Sequence, residues 1–146
     1  HNLTYWHNQP YLGVGPGAHS YLGRWRFNNI SAPREYIRRL GDVSLLDTPL
    51  YSLSSDVIGK VPTVGDVETI EQRMEMAETM MMGLRLDTGI SVKGFTGRFA
   101  AEPTGVYGGI IEDLTSLGLL ETVDGSLRLT PRGRIMGNEV FSRFFE

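Results

Sequence analysis

Gly118-Leu-Leu-Glu-Thr-Val-Asp-Gly-Ser-Leu-Arg-Leu-Thr-Pro131 (GLLETVDGSLRLTP) decides how the second half of the chain folds. Leu119–Val123 and Ser126–Leu129 read as two short strands, with only Asp124 and Gly125 between them. A tight primed turn needs positive φ at both central positions, and Asp-Gly tolerates that. Gly118 is suited to end a preceding helix in the left-handed region. Thr130-Pro131 supplies an N-cap and a first-turn proline for a following one.

Working outward, Ile135, Met136, Val140, Phe141, Phe144 and Phe145 predict a last, strongly apolar helix. Upstream, Glu102-Pro103-Thr104 opens a helix with Val106 or Tyr107, Ile110, Leu114 and Leu117 on one face. Ser91 caps a short helix through Phe95 to Phe99, after a turn at Asp87–Ile90. Thr69-Ile-Glu-Gln72 matches a capping box, with Asp66 an equal candidate for the cap. Ile70, Met74, Ala77, Met81 and Leu84 then predict one helix face running to about Arg85. Glu71, Glu75 and Glu78 lie off that face and read as solvated, along with Glu68. The methionines at 74, 76, 80, 81 and 82 read as filling for an irregular core rather than as metal ligands. Helix, short helix, helix, hairpin, helix is the order of a winged-helix-like module, placed at residues 66–146.

The 146 residues are 40% hydrophobic and 21% charged, which is ordinary globular composition for one domain, or one domain plus a tail. The net charge of −3 argues against a large nucleic-acid footprint. The helix from Thr104 to Leu117 carries Glu112 and Asp113 but no Lys or Arg, and the hairpin carries Glu121, Asp124 and only Arg128. A recognition helix without a cation can neither anchor phosphate nor read guanine, so a packing or lid role is expected for the module and no nucleic-acid partner. No run of eighteen apolar residues and no basic-then-apolar leader is visible, so no membrane span is expected. With no cysteine, the chain can hold no disulfide, thiolate zinc, cysteine nucleophile or cysteine-ligated cluster. A cytoplasmic location is the expectation.

The first half is punctuated by glycine. Leu3 and Tyr5 lie on strand-like spacing, and Tyr11-Leu12 with Val14 reads as a short strand that Gly13, Gly15 and Pro16 weaken. Gly13, Gly15 and Ala18 fit G-x-G-x-x-A, but a dinucleotide site needs a strand before and a helix directly after. Tyr21-Leu-Gly-Arg-Trp-Arg follows instead, so a Rossmann site is not expected. Ser31 and Pro33 start a helix with Tyr36, Ile37 and Leu40 on its apolar face, and Gly41 stops it. Residues 41–65 read as an extended connector with one short strand. His1, His7 and His19 have no i, i+4 pairing, so no metal site is expected; His19 reads as a hydrogen-bond donor at a cleft. Arg24, Arg26, Arg38 and Arg39 near Tyr21, Trp25 and Tyr36 form either an anion-binding patch or, on the favoured reading, arginines covering aromatic rings.

HNLTYW, YLGVGPGAHSY and Arg26-Phe-Asn-Asn29 resemble the closing part of the radical S-adenosylmethionine barrel in the oxygen-independent coproporphyrinogen III oxidase family, which includes a haem-chaperone branch. Glu78–Arg85, Gly89-Ile90, Gly118–Leu120, Leu127–Gly133 and Asn138 resemble the helical C-terminal domain of the same proteins. Residues 43–67 match poorly. The resemblance implies an α+β fold: the closing segment of a truncated barrel at 1–40, a connector at 41–65 and the winged-helix-like domain at 66–146. It implies that Gly15, Gly17, Ala18 and His19 face S-adenosylmethionine or substrate. It also implies that a 4Fe-4S cluster, S-adenosylmethionine and porphyrin or haem belong to a longer parent. The parent would be an oxidoreductase of porphyrin biosynthesis or a haem carrier, and this chain alone would be inactive without the cluster-binding cysteines. A truncated barrel segment would pair with the rest of the barrel or with a second copy.

Overall fold

The computed structural model describes residues 2–41 and 55–146, with side chains placed from residue 3 and, after the break, from Val57. Two compact units emerge, one of residues up to Asn8 with Gln72–Glu146, the other of Gln9–Glu71. The architecture is a mixed α+β one.

The larger unit starts with α1 (Asn2–Trp6) and continues with α4 (Gln72–Gly83), β4 (Ile90–Ser91), α5 (Val92–Phe99) and α6 (Pro103–Ser116). Then come β5 (Leu120–Val123), β6 (Ser126–Leu129), α7 (Pro131–Ile135), α8 (Gly137–Ser142) and a 3-10 turn at Arg143–Phe145. The hairpin forms as expected, with Asp124 at φ 49° and Gly125 at φ 73°. Leu120 faces Leu129 and Val123 faces Ser126 across it. The sheet order is β4-β6-β5, so the two-residue strand β4, which the sequence pattern did not reveal, pairs with β6. Ser91 accepts a hydrogen bond from the Gly94 N–H, and Thr130 from the Gly133 N–H, which confirms both caps. Gly118 ends α6 at φ 69°. Burial of Met76, Ala77, Met80, Leu84, Phe95, Phe99, Tyr107, Ile111, Leu114, Leu120, Leu127, Leu129, Val140 and Phe144 in one cluster gives this unit a core of its own.

Several expectations fail here for stated reasons. The segment of Leu3 and Tyr5 is helical, not extended: the His7 N–H bonds the Leu3 carbonyl and the Asn8 N–H that of Tyr5. The long helix starts at Gln72, not near Asp66 or Thr69, because residues 64–69 are taken by a strand. Its buried face is Met76, Ala77, Met80 and Gly83, while Met74 is exposed. Too many methionines lie on too many sides for the pattern to choose. In α6, Tyr107, Ile111 and Leu114 are buried, whereas Val106 and Leu117 are exposed. A kink at Tyr107 (φ −122°, ψ 22°) shifts the face. The Tyr107 ring meets Phe144 edge-on at 5.2 Å, and burial pushes its phenol pKa up. The last helix is broken at Met136, where φ −100° and ψ 22° separate α7 from α8, and Ile135 is left exposed.

The smaller unit holds β1 (His19–Leu22), β2 (Trp25–Asn29), α2 (Pro33–Gly41), α3 (Ser55–Ile58) and β3 (Val64–Thr69). The strands form an antiparallel sheet in the order β1-β2-β3. Gly23, at φ 61°, makes the turn between β1 and β2. β2 pairs with β3 from Trp25–Thr69 to Asn29–Val64, with a register shift between Phe27 and Asn29. The expected strand at residues 11–14 reduces to a single bridge between Tyr11 and Tyr21. Of the expected connector, 42–54 lies outside the described residues, Ser55–Ile58 is helical, and residues 64 and 65 already belong to β3. The expected apolar face of α2 stays exposed at Ile37 and Leu40.

Candidate cofactor loop

The stretch from Gly13 to Ala18 is irregular backbone that leads into β1 and is tied by several hydrogen bonds. Ser20, buried on β1, accepts from the Gly13 N–H at 3.0 Å. The Gly17 N–H reaches the Ile30 carbonyl at 3.0 Å, and the Asn29 N–H reaches that of Ala18 at 2.9 Å. The Asn29 side-chain amide donates to the Gly15 carbonyl at 2.9 Å and, more weakly, to that of Gly13 at 3.4 Å. A short amide at the end of β2 thus gathers the loop, where backbone carbonyls would otherwise lack partners. Asn29 belongs to the quoted motif, but its role was invisible in the sequence, because partners sixteen and fourteen residues away leave no local pattern.

The glycines answer to different causes. A Cβ at Gly13 would stand 2.2 Å from the His19 carbonyl oxygen, so the chain itself requires glycine there. Gly15 lies at φ 102° with open space where a Cβ would project. Gly17, at φ 69°, would place a Cβ an ordinary 3.7 Å from Ser31. Backbone conformation, not crowding, explains these two. His19 is exposed at the start of β1, opposite Asn28. The Asn28 side-chain oxygen accepts from the Asp66 N–H at 3.1 Å. Gly15 and Gly17 lie in the turn that leads through Ala18 into β1, and His19 is the first residue of that strand.

Arg26, Arg38 and Arg39 make contacts of their own. His7 is exposed and His1 lies outside the described residues. No group of three His, Asp or Glu that could hold a metal occurs among the described residues. Arg38 and Arg39 both bond Glu35, whose carboxyl they hold down at about 2. Arg26 covers the Tyr21 ring at 5.2 Å, as expected of an arginine over an aromatic ring. The donor set fits no iron–sulfur cluster, since the chain has no thiolate to offer.

With this geometry in place, comparison with known proteins shows what the chain is similar to. Residues 70–136 match the family described as HemN C-terminal domain. The heme chaperone HemW of Bacillus subtilis is 33% identical over 144 residues, covering 99% of this chain and 34% of that protein. This chain is HemN/HemW-like. HemW of Lactococcus lactis is 27% identical, over 99% of the chain and 33% of that protein. A radical S-adenosyl methionine domain-containing protein of Dictyostelium discoideum is 28% identical over 66% of the chain. In fold, the HemN/HemW-like chain is similar to the coproporphyrinogen III oxidase HemN of Escherichia coli, described as a radical SAM enzyme. The TM-score is 0.57 at 12% identity, over 93% of this chain and 28% of that one. The chain spans about a third of the length of these curated HemW relatives. Among the described residues no helix is long and apolar enough to cross a membrane.

Proposed function

We propose that this chain is the C-terminal part of a radical S-adenosylmethionine protein that acts on porphyrin or haem. In this reading residues 1–40 close a barrel, 41–65 connect, and 66–146 form a winged-helix-like module that packs or covers rather than binds DNA. Gly15, Gly17, Ala18 and His19 are the residues we assign to the cofactor side. The observation that carries the reading is similarity to HemW relatives over 99% of the chain, including the ordered glycine loop. The parent's cluster needs thiolates that this chain lacks, so the chain by itself supplies a surface and not the redox chemistry. The rest of the barrel, or a second copy of this segment, is the protein partner, and the cytoplasm is the expected location.

The complete protein ending in this chain provides the test. Gly15→Val forces a branched side chain onto φ 102°, and is expected to weaken S-adenosylmethionine binding about tenfold or more. Unchanged affinity, or 5′-deoxyadenosine formed by the chain alone, would overturn the proposal. The names of the curated relatives favour a haem-carrying parent over an oxidase. Saturable binding of haem by the complete protein, without conversion of coproporphyrinogen, is the outcome expected for the carrier. Oxidative decarboxylation of coproporphyrinogen would restore the oxidase reading.

A further inference from the structure

In the larger unit Arg98 pairs with Glu75, Arg128 with Glu121, Arg134 with Asp87 and Arg143 with Asp113. Arg85, exposed just past the end of α4, is not neutralised in this way. Among the described residues no carboxylate bonds it, and Asp87, the acid nearest to it along the chain, is taken by Arg134. Its guanidinium lies instead over two rings of the same unit, Phe141 at 4.6 Å and Trp6 at 5.8 Å. The backbone beneath it is anchored. Leu84 is 1% exposed, and the Arg85 N–H bonds the Met82 carbonyl at 3.2 Å.

Ring faces attract a guanidinium through its flat side and use none of its in-plane N–H groups. The fork of donors at the edge therefore stays available while the plane is held. A fork already oriented loses less side-chain freedom when it binds, and the group that matches it is a carboxylate, taken by two parallel hydrogen bonds. One exposed cation holds a small carboxylate only weakly in water, so apolar contact has to add to it. The rings differ in what they leave for that contact. Phe141 is 8% exposed and belongs to the core, whereas Trp6 is 39% exposed. The ligand that fits is a carboxylate carried on a flat apolar body.

We propose that Arg85, steadied by Trp6 and Phe141, is the receptor for a carboxylate of a planar, apolar ligand, and that this ligand is a porphyrin. The choice of porphyrin rests on the reading of the parent as a protein that acts on porphyrin or haem. The carboxylate site does not, and it uses none of the residues assigned to the glycine loop.

The complete protein ending in this chain provides the test, with metal-free probes so that iron ligation plays no part. Mesoporphyrin IX, whose carboxyls are free, is compared with its dimethyl ester, in which they are blocked. Arg85→Gln is expected to weaken binding of the free acid about tenfold or more and to leave binding of the ester unchanged. Arg85→Lys keeps the charge without the fork and is expected to fall between the two. An equal loss for acid and ester would make Arg85 a structural residue and overturn the proposal, as would no loss for either. 2-Naphthoate and 2-naphthamide separate the two parts. If naphthoate binds better than the amide, Arg85→Gln abolishes that preference and mesoporphyrin does not bind, the carboxylate site stands and the porphyrin reading falls. If mesoporphyrin binds as well as its ester and Arg85→Gln changes neither, the porphyrin reading stands and the site falls. If neither acid binds, the proposal fails whole.

Discussion

The unit built on Gln72–Glu146 and the sheet unit of Gln9–Glu71 are held together by different forces. The first encloses a continuous cluster running from Met76 through Phe95, Leu114 and Leu127 to Phe144. The second buries Tyr21, Phe27, Ile58 and Ile70, leaves Ile37 and Leu40 of α2 exposed, and ties its glycine loop with bonds from Asn29 and Ser20. Apolar burial is additive and scales with area, so the first unit has a large favourable term of its own. Net hydrogen-bond contributions are about 1 kcal/mol each, so the second depends on bonds that are individually modest but costly to leave unmade. The contrast teaches that the two regions should fail under different substitutions.

The largest expected effect is in the core. Phe95→Ala removes a ring that is 2% exposed and packs against Phe99 at 4.7 Å. A loss of about 3–5 kcal/mol in chemical denaturation is expected, the usual range for a buried phenylalanine. A loss below about 1 kcal/mol would mean that this cluster is not what sustains the unit.

In the sheet unit the matching probe is backbone, not side chain. Gly13→Ala places a methyl 2.2 Å from the His19 carbonyl. Overpacking of that kind costs about 1–3 kcal/mol. Amide exchange across residues 13–20 is expected to accelerate, while exchange in β5–β6 stays as it was. Unaltered exchange in 13–20 would show that the close approach is easily relieved.

A substitution in the opposite direction sharpens the contrast. Gly109 of α6 has nothing within 4 Å of a built Cβ. Gly109→Ala is expected to raise stability by about 0.5–1 kcal/mol, read as an upward shift in melting temperature, because alanine loses less backbone freedom in a helix. A fall would reveal that the glycine conformation is required in the kinked helix.

The smallest effect is acid sensitivity of α2. Arg38 and Arg39 hold the Glu35 carboxyl at about 2, below its usual 4.5. A depressed folded pKa gives stability that is present above about 4.5 and is lost as pH falls toward about 2. Because this network is exposed, the loss in α2 helicity over that window should be slight and should shrink in high salt. Glu35→Gln should remove the pH dependence; if helicity follows the same acid profile in that variant, another group is responsible.

The same division governs what could be read from the chain beforehand. In the larger unit the hairpin at Asp124-Gly125, the caps Ser91 and Thr130, and the stop at Gly118 were legible. Each is a local conformational rule satisfied within a few residues. The buried face of α4 was not, since methionines at 74, 76, 80, 81 and 82 make several faces equally apolar. In the sheet unit the helix at Ser31–Leu40 was legible, but β3 was hidden behind cap-like residues Asp66 and Thr69. The need of β2 for a neighbour overrode their local preference. The glycine-rich spacing of the loop was legible as a pattern. The Asn29 and Ser20 bonds that order the loop were not.

The amino-acid sequence by itself determined the turns, the caps, the absence of any thiolate ligand and the kinship of the chain, because these depend on residue type at short range. Tertiary structure alone decided that Leu3 and Tyr5 lie on a helix, that Asn8 takes φ 48°, and which side of α4 is covered. Those choices are nearly degenerate in local free energy. Partners distant along the chain, such as Thr79 for Asn8 and Ile90 for Gly83, break the tie.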